Sequence, residues 1–146
     1  MRKKWQGWLL AGLIAAGMGA PQGLRAEGAL AIGLPPDVAK EGVAFGWAIG
    51  YPTRERAEAE ALEKCRTFTG ASAASRGLCK LFRAFNGQCF AIALDPKEGT
   101  PGVGWAIAAN QRAAENNAMD GCLATAGPNR RGHCQVSAAR CDAGRE

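Results

Sequence analysis

The sequence is short of the residues that usually carry chemistry. It has one histidine, His133, and one tyrosine, Tyr51. A single imidazole excludes a multi-histidine metal site and leaves one candidate base for a nucleophilic triad. No serine stands in a G-x-S-x-G context, so a nucleophile elbow is absent. No glycine run precedes a helix in G-x-x-x-x-G-K order, which excludes a phosphate loop of that kind. No C-x2-C pair occurs, and structural zinc sites normally take two ligands from one tight turn. Metal and cofactor are therefore expected to be none. Long apolar runs are missing too. The longest, residues 8–20, falls short of the roughly 20 residues of a spanning helix.

That run instead reads as part of a secretory signal. Arg2, Lys3 and Lys4 precede it, and Leu24-Arg25-Ala26 offers a small residue at a cleavage point. Residues 1–26 are expected to be removed, with no stable membrane anchor afterwards. No cysteine precedes Cys65, so a lipid-modified N-terminal cysteine is not expected. The product is expected to be periplasmic or extracellular. Losing Arg2, Lys3, Lys4 and Arg25 from 18 basic residues leaves 14 against 13 acids, a net charge of +1. That balance gives no electrostatic case for binding nucleic acid.

Large apolar side chains are also scarce. Alanine supplies 30 residues and glycine 20. Such a core is thin at about 0.8 kcal/mol per buried methylene, so covalent staples are expected. Six cysteines occur: Cys65, Cys79, Cys89, Cys122, Cys134 and Cys141. An even number in a small exported chain reads as three disulfides, which spacing alone leaves with 15 possible pairings.

An internal repeat narrows that choice. Gly46-Trp47-Ala48-Ile49 recurs as Gly104-Trp105-Ala106-Ile107. Upstream, Ala31-Ile32 with Leu34 and Pro36 matches Ala91-Ile92 with Leu94 and Pro96. Downstream, Ala57, Ala61 and Cys65 match Ala114, Ala118 and Cys122, and Cys79 matches Cys134. The expected fold is α+β: two tandem β-β-α-β units in one pseudo-symmetric, disulfide-stapled domain, with antiparallel sheet and two packed helices. Residues 27–146 form that domain, with copy one at about 28–86 and copy two at about 87–142. Residues 43–51 alternate, with Val43, Phe45, Trp47, Ile49 and Tyr51 on one face. The other face is Gly and Ala, which lets a helix approach closely. Thr53 and Asn110 are the expected helix N-caps. Symmetry favours Cys65–Cys79 and Cys122–Cys134 as equivalent staples, leaving Cys89 with Cys141. The Ala/Ser-rich run 70–75 reads as a flexible insertion.

The signal segment, the Gly-Trp strand, the Ala/Glu-rich helix ending in Cys, and Cys134-Gln135-Val136 together resemble the bacterial exported family catalogued as domain of unknown function 4189. The resemblance spans about residues 28–142. It implies export, disulfides and a duplicated small α+β unit, and no established activity.

No catalytic constellation is expected, and the chain is read as a non-enzyme. His133 lies in a loop. Glu55, Glu58, Glu60 and Glu63 alternate with Arg and Lys on a solvated helix face. Trp47, Tyr51 and Trp105 are the candidate binding surface, with the plain alternative that both tryptophans are core anchors. The expected function is a binding module for a protein or cell-envelope component. The alternatives are a structural or stress-linked periplasmic protein, or a carboxylate-dependent envelope hydrolase. The sequence assigns no oligomeric state.

Overall fold

A computed structural model describes residues 26–142. The expected signal segment therefore lies outside the described residues, apart from Ala26. The elements run β1 (Glu27–Gly33), α1 (Val38–Glu41), β2 (Ala44–Tyr51), α2 (Arg54–Arg66), α3 (Ala73–Gly77), β3 (Lys80–Phe85), β4 (Cys89–Leu94), β5 (Val103–Ala108), α4 (Gln111–Thr125) and β6 (Gln135–Cys141). A 3-10 turn, Arg131–His133, precedes β6.

The fold is α+β with antiparallel pairing, as expected, and its strands form two three-stranded sheets. Their orders are β2-β1-β3 and β5-β4-β6. Each places the first strand of its half at the centre, so the halves share strand order and pairing, while α1 and α3 occur in the first half alone. The bulge between Leu30 and Ala31 in one β1–β3 ladder recurs between Ile92 and Ala93 in the β4–β6 ladder.

Period-two patterning explains the layers. The large side chains of both sheets meet in one cluster, with Leu30, Ile32, Phe45 and Phe85 from the first sheet and Phe90, Ile92 and Val103 from the second. Ring contacts cross that layer, including Phe45–Trp105 at 6.3 Å and Trp47–Phe90 at 5.3 Å. Arg83 also crosses it, donating to the Ile107 carbonyl at 3.2 Å. The opposite faces are alanine-rich and carry the helices. Ala57, Ala61 and Cys65 of α2 pack on Ala29, Ala31, Ala44 and Ala48. Ala114, Ala118 and Cys122 of α4 pack on Ala91 and Ala93. The result is a helix–sheet–sheet–helix stack.

Gly46 and Gly104 let the helices sit this close. A Cβ at Gly46 would strike the Ala61 carbonyl and the Cys65 amide; at Gly104 it would strike the same atoms of Ala118 and Cys122. The helices start where expected: Thr53 accepts from the Arg56 amide and Asn110 from the Ala113 amide. Disulfides join Cys65–Cys79, Cys122–Cys134 and Cys89–Cys141, the pairing that symmetry favours. No cysteine is free.

Three local readings need correction. The strand alignment is out by two residues. Ala31 pairs with Gly46 while Ala93, not Ala91, pairs with Gly104. A two-residue slip preserves the face of every side chain, so alternation cannot detect it. Second, the run 70–75 is not a flexible insertion. Ser72 caps α3 by accepting from the Ser75 amide, and Ser75 is fully buried. Third, Tyr51 leaves the Trp47 face. The ladder shifts register between Glu27 and Ala29, Gly50 has φ 74°, and Tyr51 packs with the α2-side cluster.

Candidate functional site

The loops after β1 and after β4 converge on one cleft of about 560 Å³. Each is built on an aspartate and a left-handed glycine. In the first, Asp37 accepts from the Lys40 amide at 3.1 Å and caps the start of α1, and Gly42 ends it at φ 69°. In the second, Asp95 accepts from the Lys97 amide at 3.1 Å, and Gly99 turns the chain at φ 77°. Glycine adopts these angles at little cost. Lys40-Glu41-Gly42 and Lys97-Glu98-Gly99 are thus the same tripeptide in comparable settings, and both line the cleft. Val38, Val43, Phe68, Leu94 and Val103 supply the apolar lining. Thr69, Ser72 and Thr100 add hydroxyls.

Each loop is clamped by a residue four positions before a stapled cysteine. Ser75 precedes Cys79 by four; its buried hydroxyl faces the Gly42 carbonyl at 2.8 Å, to which it donates, and the Glu41 carbonyl at 3.2 Å. Arg130 precedes Cys134 by four, and donates through Nε and Nη2 to the two Asp95 oxygens, both at 2.7 Å. The Asp95 side chain is closed to solvent. The Arg130 hydrogen bonds hold its carboxyl well below the usual carboxylate range, against the desolvation of burial. The Lys97 amide, the Arg130 charge and nearby His133 act in the same direction. Asp95 in turn raises the Arg130 guanidinium. One loop is held by a neutral hydroxyl and the other by a bidentate ion pair.

The three residues expected to form a binding surface do not come together as one. Trp47 and Trp105 are half-buried in the layer between the sheets. Trp105 contacts Phe45 and Phe82 edge-on, at 6.3 and 6.2 Å. Tyr51 is apart from both, beside Arg56, Leu62 and Arg66 at an open hollow along α2. His133 is exposed in the 3-10 turn. The helix acids lie as expected: Arg54 pairs with Glu58 at 2.7 Å and Lys64 with Glu60 at 3.3 Å. Sequence reasoning missed the gathering of Glu41, Asp95 and Glu98 at the cleft. The repeated Lys-Glu-Gly was the available signal. Among the described residues no group of three or more His, Cys, Asp or Glu is placed to hold a metal ion.

Fold and staples together define a small, disulfide-bonded α+β domain suited to an oxidising environment. No helix among the described residues is long and apolar enough to cross a membrane. The family described as a domain of unknown function, DUF4189, matches residues 28–141, and the chain belongs to it. No curated protein and no solved structure matches the chain.

Proposed function

We propose that the protein is an exported, non-enzymatic binding domain that holds a protein or cell-envelope component in the cleft between its two Lys-Glu-Gly loops. One observation carries this reading: two loops 57 residues apart in sequence bring the same tripeptide to one concave site. Small-ligand sites are concave, largely apolar and furnished with a few polar groups. The basic start of the chain and its short apolar run support export to the periplasm or beyond. Asp95, committed to Arg130, is a poor proton donor, which supports binding over acid catalysis.

The test is a photoreactive benzoylphenylalanine at position 98, with the same probe at exposed position 112 on α4 as control. The reading expects an envelope adduct from position 98 alone, lost when Thr69→Trp fills the cleft. Equal adducts at both positions, or adducts indifferent to Thr69→Trp, count against it. Silence at position 98 favours a structural or stress-linked role.

A second reading, carboxylate-dependent hydrolysis, has one observation on its side: Glu41 and Glu98 line the same cleft. It requires that the purified protein release fragments from envelope glycan and that Glu41→Gln or Glu98→Gln abolish the release.

A further inference from the structure

The walls of the cleft carry no excess of either charge. Lys40 and Lys97 face it from separate loops, each followed by a glutamate. Asp95 is already matched by Arg130. Two cations and two anions therefore remain, around an apolar lining that includes Val43 and Leu94. Resting on the reading of this cleft as a ligand seat, we propose that its ligand is a short peptide segment carrying charges of both signs around an apolar side chain.

Three features converge on that class. A balanced wall exerts little net pull on a simple anion or a simple cation, and rewards a ligand whose own charges alternate. A compact zwitterion would be satisfied by one Lys-Glu pair; two pairs on separate loops suit charges spread along a chain. The apolar lining adds a place for an aliphatic side chain, and the volume of about 560 Å³ accommodates a few residues. Lys40 is held only by a long ion pair with Glu41, at 3.9 Å on a side chain that is 75% exposed, so its ammonium can turn to a ligand at little cost.

The experiment is a ¹H–¹⁵N titration of the secreted protein, disulfides intact, with the tripeptide Lys-Leu-Glu bearing free termini. Saturable shifts are expected at the Gly42, Gly99 and Gly102 amides. Lys40→Ser with Lys97→Ser should weaken binding about tenfold or more, with an unchanged thermal midpoint. Replacing the peptide's leucine by serine should weaken it as well. Equal binding of acetyl-Ser-Leu-Ser-amide would overturn the role of charge. Shifts at these glycines with decanoate or phosphocholine, and none with the tripeptide, would overturn the peptide class while leaving the cleft as a ligand seat. No shift with any probe overturns the proposal. If the position-98 crosslink is also silent, the binding reading falls with it.

Discussion

The side-chain amide of Asn86 donates to the Glu27 carboxylate at 3.2 Å, closing the open end of the β1–β3 ladder. The matching position in the β4–β6 ladder is filled by the Cys89–Cys141 disulfide. The two halves thus staple the same ladder end by different means. Glu27→Cys with Asn86→Cys should form a fourth disulfide. Chain-entropy arguments put the gain at about 2–4 kcal/mol. The check is intact mass with a thiol count, alongside the thermal midpoint. Two free thiols, or an unchanged midpoint, would contradict the equivalence.

Close helix approach makes Gly46 intolerant of even one methyl. The atoms that a Cβ would strike belong to the α2 backbone, and Cys65 ties that helix to Cys79. Gly46→Ala should cost about 1–3 kcal/mol. Gly104→Ala should cost a similar amount against α4. Gly132→Ala, where nothing lies within 4 Å, should stay within about 0.5 kcal/mol of the parent. Denaturant midpoints of the three variants test the pattern.

Trp47 and Trp105 separate a structural role from a binding one. Each lies between the sheets and contacts aromatic rings of the opposite sheet. Trp105→Ala should cost about 2–4 kcal/mol, toward the low end for tryptophan because the side chain is half-buried. Trp47→Ala should behave likewise. Unfolding curves that match the parent would return both residues to the surface.

Much of the architecture was legible because its signals are local. Hydroxyl and amide caps at Thr53 and Asn110, alanine faces, and two Gly-Trp strands mark helices and strands directly. The cysteine pairing followed from the repeat. What stayed hidden depends on relationships that alternation does not encode. The two-residue slip between Ala91 and Ala93 preserves every face. The irregularity before Tyr51 reverses one side chain without breaking the pattern of its neighbours. The partition into two sheets depends on whether β3 and β4 pair, and the turn between them is compatible with a hairpin. The cleft arises from loops far apart in sequence, so its three carboxylates are unrelated until the chain folds.

The Asp95–Arg130 pair makes stability depend on acid. The folded Asp95 titrates below its unfolded value of roughly 3.9. The folded state therefore holds fewer protons than the unfolded state in that range, and stability falls as pH falls. The contribution is present in full above about pH 5 and is progressively lost below about pH 4. Asp95→Asn removes this dependence. The gap in stability between parent and variant should be widest at neutral pH and shrink toward pH 2. Arg130→Lys should lower stability as well, since an ammonium cannot reproduce the two-pronged contact. A gap that is constant with pH would mean that the pair does not titrate in this way.

Ser75 gives the sharpest test of how the cleft wall is held. Its hydroxyl faces the carbonyls of Glu41 and Gly42, and the residue is fully buried. Ser75→Ala removes the donor and leaves little room for water to replace it. The Glu41 carbonyl keeps the Ser72 amide as donor, so the loss falls on the part-buried Gly42 carbonyl and should cost about 1–2 kcal/mol. The loss should be local as well as global, because the same hydroxyl fixes the first Lys-Glu-Gly segment. Amide exchange should accelerate at Glu41 and Gly42 beyond what the drop in overall stability accounts for. The Lys97 amide, held through Asp95 and Arg130, should follow overall stability alone. Ser75→Cys, which retains a weak donor, should fall between parent and alanine. Uniform acceleration across both loops would instead show that the two clamps act as one unit.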